Sequence, residues 1–233
     1  MNEEKQPKLQ TKKNLILSAM ELFANQGIDA VSMRTINNAA GTKNASAVHY
    51  HFGSKLGIIE AIIAFIRSEL DRSRQVALLE LEGRAARGQK LSCREIMWAA
   101  YSPYATLYTS PEFGRQAVTF LARCQSDLSP EIQEIFNQDP QNIAARIDHL
   151  LVKALPDLPE KTRRVRYMYF WLLMVQGFSA SQALINTSFG DLRAESQEQS
   201  LQRFFDYLLG GMEGESTSLH PGSPATPAHS PAS

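Results

Sequence analysis

The stretch of sequence that most restricts the fold is VSMRTINNAAGTKNASAVHYHFGSK, residues 31–55, in which glycines separate two short helical segments. Ser32 is a favourable N-cap for the first segment, and Gly41 ends it within about two turns. The second segment is predicted over Ala45–His51, ahead of another glycine. Helices this short are unstable alone in water, so neighbouring helices must hold both of them.

Helical periodicity continues through most of the chain, and no segment shows the two-residue alternation of a half-buried strand. The sequence therefore predicts an all-α fold, with an N-terminal three-helix helix-turn-helix domain followed by a larger helical bundle. The predicted helices outside the two short segments are Leu9–Gln26, a helix reaching Glu82, Cys93–Thr109, Phe113–Gln125, Pro130–Asn137, Asn142–Leu155, Glu160–Asn186 and Ala194–Leu209.

Composition divides the chain into five parts. Residues 1–10 are polar and are expected to be a disordered arm, and residues 213–233 form a tail rich in Ser, Pro, Ala and Gly with little to bury. Between them the expected parts are a helix-turn-helix domain at 11–55, a connecting helix at 56–82 and a helical domain at 83–212.

Charge and cysteine content exclude several classes of protein. The whole chain has a formal net charge of zero, and the first 74 residues carry a small positive excess, which favours an anionic partner at that end. Cys93 and Cys124 stand in apolar surroundings without a CxxC partner, so buried thiols are expected. No signal peptide or long apolar run is present, which predicts a soluble cytoplasmic protein.

The two short segments, joined by a glycine-containing turn and braced by the first helix, have the outline of a helix-turn-helix. Helical angles place Val48 and Phe52 on the packed side of the second segment, and Ser46, Ala47 and Tyr50 on the free side. Small and polar residues on a free face suit close approach to the major groove of DNA. Lys55, at the start of the next helix, would sit beside backbone N–H groups that favour a phosphate.

Residues 16–63, ILSAMELFANQGIDAVSMRTINNAAGTKNASAVHYHFGSKLGIIEAII, resemble the DNA-binding domain of the TetR family of bacterial transcription regulators. The matching features are LF..QG at the end of the first helix, S.R.I..AAG in the second and YHFGSK at the close of the third, in this order and spacing. The rest of the chain resembles the family only in length and helicity.

The resemblance implies DNA-contacting roles for particular residues. Ser32 and Lys55 would contact phosphates, and Arg34 would reach a base or the backbone. The residues expected to form or flank the reading surface are Lys43, Asn44, Ser46, Ala47, His49, Tyr50 and His51. Asn44 could pair with adenine and Ala47 could touch a thymine methyl group, while core packing is the alternative role for Tyr50.

Two departures from the usual family pattern affect this interpretation. One extra residue lies between Gly41 and YHF, so the positions from Lys43 to Ala47 can be shifted by one. Asn37 stands where a small apolar residue is usual, and its side chain must find a hydrogen bond or face outward.

Metal binding and catalysis have little support in the sequence. His49 and His51 lie two residues apart on a helix and point in roughly opposite directions, with no acidic or cysteine cluster nearby. Ser54 beside His51 has no third catalytic partner, and no phosphate-binding or hydrolase motif occurs. The chain is therefore expected to be neither an enzyme nor a cofactor-binding protein.

A Met and Tyr stripe in the second domain has two possible roles. Its members recur at i, i+4, i+7 and i+11, which is typical of core packing, whereas the family places a small-molecule pocket among these helices. The candidate ligand-binding residues are Met97, Trp98, Tyr101, Tyr104, Tyr108, Phe120, Arg123, His149, Tyr167, Trp171 and Phe178. For Arg123 and His149 an exposed or satisfied polar position is the alternative.

The last two helices carry more apolar surface than a terminal pair needs, which suggests a two-fold dimer interface of the kind the family uses. The residues predicted to form it are Leu172, Val175, Leu201, Phe204, Phe205 and Leu208. The resemblance implies a homodimeric repressor, released from a palindromic operator by a small, largely apolar or aromatic ligand. The alternatives are a DNA-binding regulator controlled by a protein partner, and a helical ligand-binding protein with a vestigial helix-turn-helix.

Overall fold

The computed structural model describes residues 5–42, 46–185, 187–192 and 196–215. Across these ranges the secondary structure is helical, without a β-strand, as the sequence predicts. The helices are α1 Lys5–Gln26, α2 Met33–Ala39, α3 Ala47–Phe52, α4 Lys55–Ala86, α5 Cys93–Tyr108, α6 Gly114–Ser126, α7 Pro130–Asn137, α8 Ile143–Ala154, α9 Glu160–Ser179, the 3-10 helix Ser181–Leu184 and α10 Gln197–Glu213.

Helices α1, α2, α3 and the start of α4 share one apolar core. Phe23 from α1, Ile36 from α2 and Val48 from α3 are fully buried in it. The hydroxyl of Ser32 accepts the Thr35 backbone N–H at 3.1 Å, which confirms Ser32 as the N-cap of α2. Packing of this kind holds α2 and α3, which are too short to be stable alone.

Asn37 fixes the position of α3 against α2. Its side chain is buried, and Oδ1 accepts the backbone N–H of Val48 at 3.0 Å, in the first turn of α3. The Thr42 hydroxyl donates to the Asn37 carbonyl oxygen at 3.1 Å, so the turn is tied to the same residue. Of the two alternatives for Asn37, a hydrogen bond or an outward position, the structure shows the hydrogen bond, which joins the two halves of the motif.

Several helix ends differ from those predicted. Helix α1 begins at Lys5, so residues 5–10 are helical and the predicted disordered arm is wrong for them; Pro7 is tolerated because first-turn N–H groups have no helical partner. Helix α9 ends at Ser179, where a 3-10 helix follows. Helix α4 runs four residues past Glu82. Of the predicted tail, residues 216–233 lie outside the described residues.

Helix α4 joins the two domains without a break. It packs on α1 and α3 of the helix-turn-helix domain, and on α5, α7 and α8 of the bundle. The buried apolar residues on its inner face are Ile58, Ile59, Ile62, Ile63, Ile66, Leu70, Leu78 and Leu81. The two domains therefore share one rigid element.

Helix α5 lies at the centre of the second domain. Ser92 and Glu95 form a capping box at its start, in which the Ser92 hydroxyl accepts the Glu95 N–H and the Glu95 carboxylate accepts the Ser92 N–H. Helices α9 and α10 cross closely at Gly177, because a Cβ atom there would lie 2.1 Å from the Phe204 ring. This crossing orients α10 across α5 and α9.

A second contact joins the domains between α1 and α6. The rings of Phe23 and Phe120 stack with centroids 6.0 Å apart. Nearby, Arg123 Nε donates to the carbonyl oxygen of Ala24 at 2.7 Å, near the end of α1 where carbonyls lack helical partners. The helix-turn-helix domain therefore contacts the bundle through α6 as well as through α4.

Candidate nucleic-acid interface and effector cavity

The outward face of α3 is built around Tyr50. Its side chain is 73% exposed, and its ring stands edge-on to the His51 ring at 5.1 Å. Ser46 and His49 are exposed beside it, and His51 is half-buried. Exposure of a large aromatic residue on a short helix argues against the core-packing role for Tyr50 and leaves it available to a partner.

Ala47 does not belong to this face. The structure buries it, because α3 begins at Ala47 and the hydrogen bond from Val48 to Asn37 draws this first turn onto α2. The prediction that Ala47 faces outward is therefore wrong. Lys43 and Asn44, predicted as DNA contacts, lie outside the described residues.

Ser32 and Arg34 lie at the start of α2, and both are exposed. The Ser32 hydroxyl, while capping the helix, also lies 2.8 Å from the Thr35 hydroxyl. Two hydroxyls and an arginine at one helix end supply hydrogen-bond donors for a phosphate.

Lys55 begins α4, where Ser54 is the N-cap and its hydroxyl accepts the Gly57 N–H at 3.0 Å. Nζ of Lys55 donates to the carbonyl oxygen of Asp29 at 3.2 Å and lies 5.9 Å from the centre of the Phe23 ring. An ammonium has three donors, so this hydrogen bond leaves Lys55 able to bind a phosphate as well. Position 57 needs a glycine, because a Cβ atom there would lie 2.1 Å from the Phe52 carbonyl oxygen.

A cavity of about 200 Å³ lies in the second domain, lined by residues of α4, α5, α6, α7, α8 and α9. Its apolar wall includes Ile63, Ile66, Leu70, Phe136, Ile147 and Met174. Three of the predicted ligand-binding residues line it: Tyr104, Tyr167 and Trp171. Trp171 Nε1 donates to the Tyr104 hydroxyl at 3.2 Å. Burial raises the pKa of Tyr167.

One wall of the cavity carries charged residues of α4 that the sequence analysis missed. Arg67, Asp71 and Arg74 line the cavity, and their spacing of i, i+4 and i+7 puts them on one helical face. The i, i+4, i+7 spacing of these charged residues, on a helix that also carries buried isoleucines, is the sequence signal that could have identified them. The sequence interpretation gave this helix only a connecting role.

The two arginines differ in their bonding. Nη2 of Arg67 donates to the carbonyl oxygens of Ile135, Phe136 and Gln138 at 2.8–3.1 Å, which ties α4 to the end of α7. Burial lowers the pKa of Arg67. Arg74 is only 8% exposed, and its Nη1 lies 3.5 Å from Asp71 Oδ1. Arg67 is thus held by backbone carbonyl oxygens, whereas the contact between Arg74 and Asp71 is long and weak.

Family models match both domains. The model for bacterial regulatory proteins of the tetR family matches residues 15–62, and the model for the tetracyclin repressor-like C-terminal domain matches residues 98–211. The chain belongs to the TetR family. It is therefore a DNA-binding transcription regulator and not an enzyme. A search of curated proteins finds no match.

Solved structures of TetR-family regulators share the fold. PfmR of Thermus thermophilus has a TM-score of 0.55 and 14% identity, over 88% of this chain and 96% of that one. A putative regulator from Rhodococcus sp. has a TM-score of 0.59 and 12% identity, over 86% and 99% of the two chains. One from Mesorhizobium loti has a TM-score of 0.55 and 15% identity, over 88% and 96%.

Most of the Met and Tyr stripe serves the core of this TetR-family bundle. Met97 and Tyr101 are fully buried, and the Tyr101 hydroxyl donates to the Leu201 carbonyl oxygen at 2.7 Å. The Tyr108 hydroxyl pairs with the Ser181 hydroxyl at 2.8 Å. Of the four stripe residues only Tyr104 lines the cavity, because the stripe follows α5 past the cavity and on beneath α9 and α10.

The remaining ligand candidates lie away from the cavity. Phe120 is buried beneath α1, and Phe178 stacks on Tyr108 with centroids 5.2 Å apart. Trp98 is partly exposed and stands edge-on to Phe205. Arg123 bonds to α1, as described above, and His149 is exposed on α8. The alternative roles that the sequence left open for Arg123 and His149 are the better ones.

The predicted dimer residues are largely internal to one chain. Val175, Phe205 and Leu208 are buried, because α10 packs its apolar stripe on α5 and α9 of the same chain. Leu172, Leu201 and Phe204 are half-buried. The exposed apolar residues of the two helices are instead Val165, Met168, Tyr169, Leu173 and Tyr207. Three of these, Val165, Tyr169 and Leu173, recur every four residues along α9.

Within the described ranges of the chain, no group of three or more His, Cys, Asp or Glu side chains is placed to hold a metal. No helix in those ranges is long and apolar enough to cross a membrane. Cys93 and Cys124 are free and buried, and burial raises the pKa of each thiol to about 12, so both are inert at neutral pH.

Proposed function

We propose that this TetR-family regulator is a homodimeric repressor, released from a palindromic operator when a small, largely apolar or aromatic ligand enters the cavity. The single observation that carries the proposal is that helix α4 runs from the helix-turn-helix domain to the cavity. Its first residue, Lys55, is one of the proposed phosphate contacts, and residues between Ile63 and Arg74 line the cavity. At 1.5 Å per residue, these points are about 12–29 Å apart along one helix.

The DNA contacts are proposed from exposure and chemistry. Tyr50, His49 and Ser46 form the face for the major groove, and Arg34, Ser32 and Lys55 flank it as phosphate contacts. His51 lies at the border of this surface. Phosphate contacts would supply most of the affinity, so binding should weaken steeply with salt.

Release is proposed to be a shift between two conformations of the dimer. A ligand that binds better when α4 is displaced pulls the population away from the form whose α3 helices match the operator. Coupling of about 1–3 kcal/mol, or roughly 5- to 150-fold in affinity, is typical of such regulation. Arg67 ties α4 to the end of α7, so movement of the cavity wall would be passed to α4.

Dimerisation is proposed through the exposed apolar face of α9, with Tyr207 of α10 beside it. Val165, Tyr169 and Leu173 would meet their two-fold copies, which gives each apolar side chain an apolar partner. Two α3 helices related by a two-fold axis read half-sites about one DNA turn apart, roughly 34–36 Å, or a multiple of it. The operator would then be palindromic.

The test is a gel-shift titration with DNA from the regulator's own promoter region, at two salt concentrations. With about six to ten phosphate contacts, affinity should fall by roughly 10³- to 10⁵-fold between 50 and 200 mM salt. A double variant, Tyr50→Ala with Lys55→Ala, should lose the complex while keeping its helical circular dichroism. A complex that survives this variant, or that is insensitive to salt, would contradict the proposal.

A further inference from the structure

Arg74 differs from the other buried polar residues in the described part of the chain, which are Asn37 and Arg163. Nε of Arg163 donates to Asp148 Oδ1 at 2.7 Å, and Asn37 accepts the Val48 N–H. For Arg74, Nε and Nη2 are buried with no hydrogen-bond partner among the described residues. Buried donors are normally paired, so an unpaired arginine in a cavity wall needs a reason.

The shape of the unpaired edge indicates what would bind there. Nε–H and one Nη2–H of a guanidinium point the same way and form a fork that fits the two oxygens of a carboxylate. A single carbonyl oxygen would satisfy one of these donors and leave the other unpaired. Both nitrogens are covered in this conformation, so an entering acid must move part of the wall.

Other charges around Arg74 leave the guanidinium available. Arg67 is held by three backbone carbonyls, and the Asp139 carboxylate accepts the N–H groups of Ile143 and Ala144 at 2.9 and 3.0 Å. Asp71 makes only a 3.5 Å contact with Nη1, and its side chain is more exposed than that of Arg74. Tyr104 lies against the guanidinium, 5.5 Å from its Cζ to the ring centre, and this contact keeps the cation beside the cavity.

The remainder of the cavity is suited to an apolar body. Ile63, Ile66, Leu70, Phe136 and Trp171 line it, next to Arg74. Its volume of about 200 Å³ lies below the roughly 300–1,000 Å³ of pockets for drug-sized ligands. A single aromatic ring or a medium-length alkyl chain fits this volume better than a fused-ring compound.

We infer that the effector of this regulator is a small apolar carboxylic acid, with its carboxylate on the Nε–Nη2 edge of Arg74 and its ring or chain among the residues named above. The inference rests on the proposed ligand-responsive function and specifies its ligand class. Arg74 lies on the helix that begins at Lys55, so binding of the acid to Arg74 also acts on that helix.

The test compares matched acids and neutral analogues by isothermal titration calorimetry on the full chain. The probes are phenylpropanoate, its methyl ester and phenylpropanol, and octanoate with octanol. The wild type should bind at least one acid at least about tenfold more tightly than its neutral analogues, the lower end of what hydrogen bonds to a charged group contribute. Equal affinity for acid and alcohol, or binding of the ester alone, would overturn the inference, as would no binding by either acid.

Variants locate the site. Arg74→Gln should lose roughly 10- to 100-fold in acid affinity with no matching loss for the alcohols, and Arg74→Lys, which keeps the charge without the fork, should fall between. Arg72→Gln is the matched control, because Arg72 lies on the same helix with an exposed side chain. Unchanged acid binding by Arg74→Gln overturns the assignment. If Arg74→Gln does not fold, the comparison of acid with alcohol on the wild type still decides the ligand class.

Gel shifts on the same preparations separate this inference from the proposed function. Acids that bind through Arg74 without releasing DNA would support the site and overturn ligand-induced release. Release by the neutral analogues alone would support the repressor mechanism and overturn the acidic ligand class. Release by the acids in the wild type and not in Arg74→Gln supports both.

Discussion

The hydrogen bond between Asn37 and Val48 makes a sharp prediction about the helix-turn-helix. Replacing Asn37 by alanine removes the acceptor of a backbone N–H that opens α3, and Asn37 itself is 3% exposed, so water cannot easily substitute. Leaving such a donor unsatisfied costs roughly 1–3 kcal/mol. Alanine also favours a helix more than asparagine does, by several tenths of a kcal/mol, which partly offsets the loss.

Asn38→Ala is a matched control because it makes the same chemical change one residue later, at an exposed position of α2. The helix-propensity gain is common to both variants, so the difference between them isolates the buried hydrogen bond. In a protein of this size about 1 kcal/mol corresponds to roughly 2–4 °C in Tm. Asn37→Ala should therefore melt about 2–12 °C below Asn38→Ala.

Thermal unfolding followed by circular dichroism measures this difference, and a gel shift measures its effect on function. Because α3 carries Tyr50 and has only six residues, loss of its anchor should weaken DNA binding in Asn37→Ala more than in Asn38→Ala. Equal melting temperatures and equal DNA affinities for the two variants would refute the view that Asn37 holds α3 in place.

Three further outcomes are expected. Lys55→Met should reduce the slope of log affinity against log salt by about one unit, whereas Lys90→Met, in the exposed loop before α5, should leave it unchanged in the same filter-binding series. Leu173→Glu should shift sedimentation equilibrium toward monomer, and Leu79→Glu, at an exposed leucine of α4, should not. The backbone N–H of Ser92, with Arg84, lowers the pKa of Glu95 from 4.5 to about 2. The contribution of the Glu95 carboxylate to stability is therefore present above pH 4.5 and is lost as the pH falls toward about 2. The difference in Tm between wild type and Glu95→Gln should shrink across that range.

The arrangement of helices could be predicted from the sequence because local signals mark their ends. Ser32, Gly41 and Gly53 bound the two short helices, and the family pattern depends on the same residues. The register of α3 was harder to predict, because the extra residue can lengthen either the turn or the start of the helix. The bond to Asn37, eleven residues away in sequence, decides it by drawing Ala47 inward.

The partner of an apolar stripe cannot be read from periodicity. Phe205 and Leu208 were predicted to meet a second chain, yet they pack on α5 and α9 of their own chain. An amphipathic pattern predicts that a helix face is buried, but it does not identify what covers that face. The exposed set along α9 is different, since Val165, Tyr169 and Leu173 remain open after the chain has folded, and only the tertiary structure reveals which set remains.

The burial of charged residues on α4 could not be predicted from the sequence either. An arginine is most often exposed, and Arg72 is, while Arg74 two residues later is buried. What distinguishes them is the position of Tyr104 and of the α7–α8 connection, which lie far away in sequence. A buried cation without a full set of partners destabilises a fold, and a carboxylate of the ligand would supply the missing acceptors. Binding free energy would then be concentrated on α4, the helix that we propose sets the spacing of the two DNA-reading faces.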